Sequence, residues 1–362
     1  REQTQEQRTE KDSMYELSAK NDRLREGCVM SYLYVVENGA HISIADNYVK
    51  VQCREDCCRK IPIETLESIS IFSKAQMTTQ CTEECLRRGI PVAYYSKVGS
   101  YFGRLESTGH IHVERQRRQA ELYNSVFALE LGKKILQAKI KNQEVVLLRY
   151  ARNKGHDISE EIKMMNISVQ KLDGCTHVEQ LMGYEGTAAR YYFQGLSKAV
   201  DEKFKFKGRS KRPPKDEFNA MLSLGYSILM NEIYGKLQNK GLNPYFGFIH
   251  RDKEKHPTLA SDLMEEWRAV IVDSMVMSLV NGHEINPDDF IHDLDEPGCF
   301  LSNAGMKIFI NKLDKKILTD TRYLKYIDYP VSFRRGMELQ IDQLVKAMEA
   351  EDAELYQPVR IR

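Results

Sequence analysis

The chain has 362 residues, of which 42% are apolar and 29% charged, a composition that excludes an intrinsically disordered polymer and a membrane-embedded protein. At about 150 residues per domain it has room for roughly two domains, each large enough to bury a core. Lys and Arg together number 53 against 52 Asp and Glu, a net charge of +1, which argues against a uniformly basic nucleic-acid coat.

That near-zero total conceals opposed blocks. Between Arg115 and Lys154 ten bases face three acids, and between Lys203 and Lys215 seven bases occur without one acid. The stretch from His283 to Pro297 carries six acids and neither Lys nor Arg. The longest nearly apolar window, Ala269 to Val280, is interrupted by Asp273 and is too short to span a bilayer, so no membrane partner is expected. Eight cysteines without an apolar signal segment read as reduced thiols of a cytoplasmic protein. Their spacings are not the paired C-x-x-C kind, and isolated small apolar thiols are the better reading of Cys53, Cys57, Cys58, Cys81 and Cys85.

In chain order, residues 1–29 form a polar lead-in or linker, helical or disordered. Residues 30–106 read as a β domain. Tyr32 to Val36, the pair Asn38-Gly39 and His41 to Ile44 carry the signature of a β-hairpin, because Asn-Gly supplies the positive φ angles of a type I′ turn. Further strands are expected at Val49 to Val51, Leu66 to Phe72, Val92 to Tyr95 and Tyr101 to Leu105, with a short helix from Thr82, its N-cap, to Arg88. After a linker at 107–112 the apolar period becomes helical. Phe218, Met221, Leu222, Leu229, Ile233 and Leu237 form one stripe, closed by Gly241 and Pro244. An all-α domain is expected over 113–348, followed by a tail at 349–362. The fold class is α+β, two successive units.

No phosphate-binding glycine loop, nucleophile elbow or H-E-x-x-H motif is present. What remains is dispersed. His250 ends an aromatic-rich run, and Asp262 and Glu265, three residues apart, share a helix face among apolar neighbours. Glu185 is followed by Ala188 and Ala189, which would leave its face low enough for a bulky substrate to approach. Carboxylates with one imidazole suit Mg²⁺ or Mn²⁺ better than Zn²⁺, and Glu185, His250 and Glu265 would leave coordination positions open. The spacing alone is equally compatible with a capped helix and a core histidine. The 203–215 run, interleaved with Phe204 and Phe206, is either a solvated loop or a phosphate contact.

Four ordered segments carry a resemblance: Tyr184 to Phe193, Gly208 to Tyr226, Gly247 to His250 followed by Thr258 to Arg268, and Ser332 to Gly336. They resemble the CRISPR adaptation integrase family, the endonucleases that insert spacers. The resemblance implies an N-terminal β-sandwich-like domain, a larger helical catalytic domain, a homodimer, and a dimer of a small ferredoxin-like partner that together hold double-stranded DNA, prespacer and CRISPR repeat. It places metal ligands at Glu185, His250 and Glu265, with Asp262 as accompanying acid, and makes Arg190, Arg209, Lys211, Arg212, Lys215 and Arg268 DNA-binding candidates. Relatives often carry Asp where Glu265 stands; the longer side chain keeps a hard oxygen ligand. The implied reaction is attack of a DNA 3′-hydroxyl on a repeat phosphodiester, and water in its place makes the same site a nuclease. A transposon-end integrase, a branched-DNA nuclease and a noncatalytic DNA-holding scaffold are the alternatives. The lead-in before Met30 suggests a linker from a fused reverse transcriptase or iron–sulfur exonuclease domain.

Overall fold

The computed structural model describes residues 31–53, 56–211, 213–293 and 298–362. The expected lead-in, Arg212 and part of the acidic block lie outside them. The chain divides into two compact units, residues up to 110 together with 301–314, and residues 111–300 together with 315–362.

The first unit is rich in strands. They are β1 (Ser31–Val35), β2 (His41–Ala45), β3 (Tyr48–Cys53), β4 (Asp56–Pro62), β5 (Leu66–Ile71), β6 (Gln76–Met77), β7 (Val92–Tyr95) and β8 (Tyr101–Leu105), with one helix, α1 (Thr79–Arg88), between β6 and β7. Two four-stranded sheets result, ordered β1-β5-β7-β8 and β4-β3-β2-β6. The expected β1–β2 hairpin does not form. Gly39 does take a positive φ of 76°, but its N–H donates to the Lys74 carbonyl, the Asn38 side chain accepts from Lys74 N, and β1 pairs in parallel with β5. The type I′ turn lies instead at Asp46-Asn47, with φ of 55° and 61°, joining β2 to β3. Both sheets and α1 contribute to one apolar cluster, with Val35, Ile42, Val49, Ile69, Cys81, Cys85 and Val92 fully buried. Helix α1 starts earlier than expected, because Thr78 caps it by accepting from Cys81 N.

The second unit holds α2 (Val113–Glu121), α3 (Val126–Lys154), α4 (Ser159–Leu172), α5 (Val178–Ala199), α6 (Glu217–Asn239), α7 (Thr258–Arg268) and α8 (Ser274–Asn281). Helix α9 (Asn303–Ile317) begins in the first unit, and α10 (Phe333–Ala350) returns to the second. The unit is helical but not all-α. Strand pairs β9 (Phe290–Asp293) with β10 (Gly298–Leu301) and β11 (Asp320–Thr321) with β12 (Val331–Ser332) interrupt it, each too short to leave a period-two signal. Ser125 caps α3, and Gly155 closes it at φ 65°. Helices α3 and α5 approach closely because Gly195 has no side chain: a Cβ there would meet Leu147 Cδ2 at 2.6 Å.

Every residue of α7 from Thr258 to Trp267 is buried. Glu266 accepts from Tyr356 Oη at 2.5 Å, Val359 N at 2.7 Å and Gln340 Nε2 at 3.2 Å, so residues beyond 350 pack onto the unit's core. Asn142 of α3 donates to the carbonyls of Glu266 and Val359. The Ser332 to Gly336 segment supports the same helix. Ser332 caps α10, the Phe333 ring meets Trp267 edge-on at 6.1 Å, and Arg334 Nε bonds Glu232 Oε1 on α6 at 2.6 Å.

Burial alone would raise the Glu232 carboxyl, but Arg334 outweighs it and holds the group below its ordinary value. The ionised pair therefore contributes stability above the ordinary carboxylate range that is lost as pH falls through the depressed value. Arg334→Met is expected to lose about 3–5 kcal/mol near neutrality by leaving a buried carboxylate unpaired. Denaturant melts at falling pH should show the deficit shrinking as the carboxyl protonates.

Candidate active site

Three distant stretches of sequence meet around one ammonium group. Lys139, in the middle of α3 and 2% exposed, points its Nζ between Glu185 Oε1 of α5 and Glu265 Oε2 of α7. The Glu265 contact is 2.5 Å. Glu265 also accepts from Arg268 Nη1 at 3.2 Å through both oxygens. Burial opposes its ionisation, yet Lys139, Arg268 and His250 outweigh burial and hold Glu265 well below the usual carboxylate range.

His250 reaches the same place from the loop before α7. Its Nδ1 lies 2.7 Å from Asp262 Oδ1, and its Nε2 lies 3.8 Å from Glu265 Oε1. The pairing with a carboxylate places a proton on Nδ1 and leaves Nε2 facing Glu265. Burial disfavours the imidazolium, but the bond to Asp262 and its charge prevail and raise the pKa. Asp262, 1% exposed, also accepts from the backbone N–H groups of Phe248, Ile249 and His250 at 2.6, 3.0 and 3.0 Å. Its oxygens are committed to shaping the loop. Gly247 makes this possible, since a Cβ there would stand 2.8 Å from Asp262 Oδ2.

The basic candidates divide. Arg268 lies 4.2 Å above the Tyr226 ring and Arg209 5.3 Å from it, and Arg209 donates to Asn219 Oδ1 and Ser223 Oγ. Both are anchored against the Tyr226 ring rather than projecting freely. Lys211, Lys215 and Arg190 are exposed. Although exposed, the Lys211 ammonium is pulled down first by desolvation and then by the charges of Arg268 and Arg209. Phe204 and Phe206, which alternate with lysines in the sequence, face inward: Phe206 stacks on Phe218 with centroids 4.4 Å apart. They pin the segment and leave Lys203, Lys205 and Lys207 outside.

The sequence reading missed Lys139, although a lysine flanked by buried Leu136, Ala138 and Ile140 on a helix is a signal in itself. It also missed Asp273, which ends the π-helical turn Ala269–Asp273 joining α7 to α8 and accepts from the buried Tyr226 and Tyr192 hydroxyls.

The family model for CRISPR associated protein Cas1 matches residues 33–315. The chain belongs to the Cas1 family. It is 35% identical over 322 residues to the CRISPR-associated endonuclease Cas1 of Mycobacterium tuberculosis strain H37Rv, covering 89% of this chain and 95% of that one. It is 32% identical over 331 residues to a CRISPR-associated exonuclease Cas4/endonuclease Cas1 fusion of Geobacter sulfurreducens, covering 88% of this chain and 57% of the fusion. A chain of a solved Cas6-RT-Cas1–Cas2 complex shares the fold with a TM-score of 0.81 at 24% identity, covering 95% of this chain and 38% of that one.

In this Cas1 member, Glu185, Glu265 and His250 remain linked through Lys139 and through the His250–Glu265 contact. Their oxygen and imidazole donors match Mg²⁺ or Mn²⁺, and the Lys139 ammonium between the carboxylates marks where positive charge is required. Lys139→Met would leave two carboxylates facing each other with little solvent. Unfolding without added divalent cation is expected to cost about 3 kcal/mol less than in the parent, and Glu185→Gln in the same chain should recover part of that loss. Denaturant titration of the two single variants and the double variant measures the coupling.

Proposed function

We propose that this chain is a metal-dependent DNA integrase and endonuclease of CRISPR adaptation, joining 3′-hydroxyls of short DNA duplexes to phosphodiesters at the edges of a repeat. The observation that carries the reading is the run of contacts that joins Glu185 of α5 through Lys139 to Glu265 of α7, and Glu265 to the Nε2 of His250. Membership of a family whose curated relatives are named endonucleases supports it.

Glu185, His250 and Glu265 would hold the Mg²⁺ or Mn²⁺, which when bound neutralises phosphoryl oxygens and lowers the pKa of a nearby hydroxyl. The chain's own groups do the positioning. Asp262 fixes the imidazole and the 248–250 backbone, and Arg268 and Lys139 both brace Glu265. The new bond from the attacking 3′-oxygen to phosphorus forms as the bond to the leaving 3′-oxygen breaks; the attacking hydroxyl releases its proton and the leaving oxygen takes one up. Lys211, Lys215, Arg190 and Arg212 make sequence-tolerant backbone contacts, and Arg209 and Arg268 act from beneath them. The strand-rich unit serves as a β-sandwich-like platform for a homodimer, and a small partner dimer bridges two such pairs in the cytoplasm. Relatives fused to Cas4, and the Cas6-RT-Cas1–Cas2 assembly that contains a similar chain, support an association with further adaptation domains.

Joining of a short duplex to a repeat-bearing plasmid tests the chemistry. Glu185→Ala, His250→Ala and Glu265→Ala should each lower joining and nicking by at least about 10²-fold with the duplex still bound. Variants that join DNA like the parent would place the chemistry elsewhere. Neutralising Lys211, Arg212 and Lys215 together should weaken duplex binding and reduce the slope of log K against log salt by about 2 to 3. An unchanged slope would return the segment to a solvated loop.

A further inference from the structure

A second group of ligating side chains lies outside this site. Glu217 in the first turn of α6, His292 of β9 and Cys299 of β10 present one carboxylate oxygen, one ring nitrogen and one sulfur within 4.8 Å of one another. His292 Nε2 already sits 3.1 Å from Glu217 Oε1. Ligand atoms at 2.0–2.3 Å from a tetrahedral Zn²⁺ lie about 3.3–3.8 Å apart, so the pair is close to its bound spacing and the sulfur needs a shift of about 1 Å. Cys299 is fully buried, whereas the His292 ring is 61% exposed and can make the adjustment.

The donor set differs in kind from that of Glu185, His250 and Glu265. A thiolate with an imidazole and one carboxylate selects Zn²⁺ over the hard cations, whose ligands are oxygen-dominated. Three protein ligands leave the fourth tetrahedral position open to water. We propose that Glu217, His292 and Cys299 form a Zn²⁺ site that clips the β9–β10 ribbon to the start of α6.

The clip would act on the basic segment. Cys299 N donates to the Pro214 carbonyl at 2.9 Å, and Gly298 packs so tightly that a Cβ there would meet Pro213 Cβ at 2.9 Å. Pro213 and Pro214 stand between Lys211 and Lys215. A cation holding Cys299 and Glu217 therefore grips this turn at its two prolines and where it enters α6.

Co²⁺ titration of the metal-stripped full chain tests the site, because a thiolate bound to Co²⁺ adds an intense near-ultraviolet charge-transfer band that oxygen and nitrogen ligands do not give. The parent should show the band, Zn²⁺ should remove it, and Glu185→Gln and His250→Ala should retain it. Cys299→Ser should abolish it, and His292→Ala or Glu217→Gln should weaken Co²⁺ binding by more than about tenfold, the lower end of the cost of losing even an outer partner. His292 is at the surface, so its variant decides the matter if Cys299→Ser fails to fold. Absence of the band in the parent, or a band that survives both Cys299→Ser and His292→Ala, overturns the proposal; survival would assign the metal to other thiols such as Cys81 and Cys85.

Discussion

The helical unit is organised around the need to neutralise carboxylates that have little access to water. Glu265 is 4% exposed, and an isolated carboxylate at such a position would protonate rather than stay charged. Lys139 from α3, Arg268 from its own helix and His250 from the preceding loop each bring positive character to it. The long helix α3, the all-buried helix α7 and the tight packing of α3 on α5 across Gly195 are thereby tied to one electrostatic requirement.

Around that centre the supporting residues show a consistent division of labour. Asp262 is three residues from Glu265 yet has no free acceptor, because its oxygens bind three backbone N–H groups and the imidazole. It sets where His250 points. The Tyr192, Tyr226 and Asp273 cluster, with Arg268 and Arg209 against the Tyr226 ring, forms a second buried polar layer beneath the basic surface. Such networks hold charged groups in one geometry, and this one reaches from the π-helical turn to the segment carrying Lys211.

Much of this was legible in the sequence, for physical reasons that differ by element. Strands Val92–Tyr95 and Tyr101–Leu105 stand where alternation and turn residues put them. The pairing of β1 did not, because alternation identifies a strand without naming its neighbour, and Asn38-Gly39 is a competent turn whichever strands it separates. Glu185, His250 and Glu265 were picked out through ordered motifs, and the fold joins Glu185 to Glu265 through Lys139 and sets His250 beside Glu265. Lys139 stayed hidden since the 115–154 run reads as solvated charge when its bases are counted together, and only the apolar flanks of that one lysine set it apart. His292 and Cys299 are separated by the acidic block and lie 75 residues or more from Glu217, so no spacing rule could join them.

The three donors gathered on Glu266 bear on when this unit becomes competent during synthesis. Glu266 adjoins Glu265 on α7, and two of its partners, Tyr356 and Val359, leave the ribosome some 90 residues later. A nascent chain that has already made Glu185, His250 and Glu265 still carries a helix whose Glu266 is buried without those two donors, so α7 is not yet held in place. The polar contacts of the helix that carries Glu265 are thus complete only once the segment around residues 356–361 has docked.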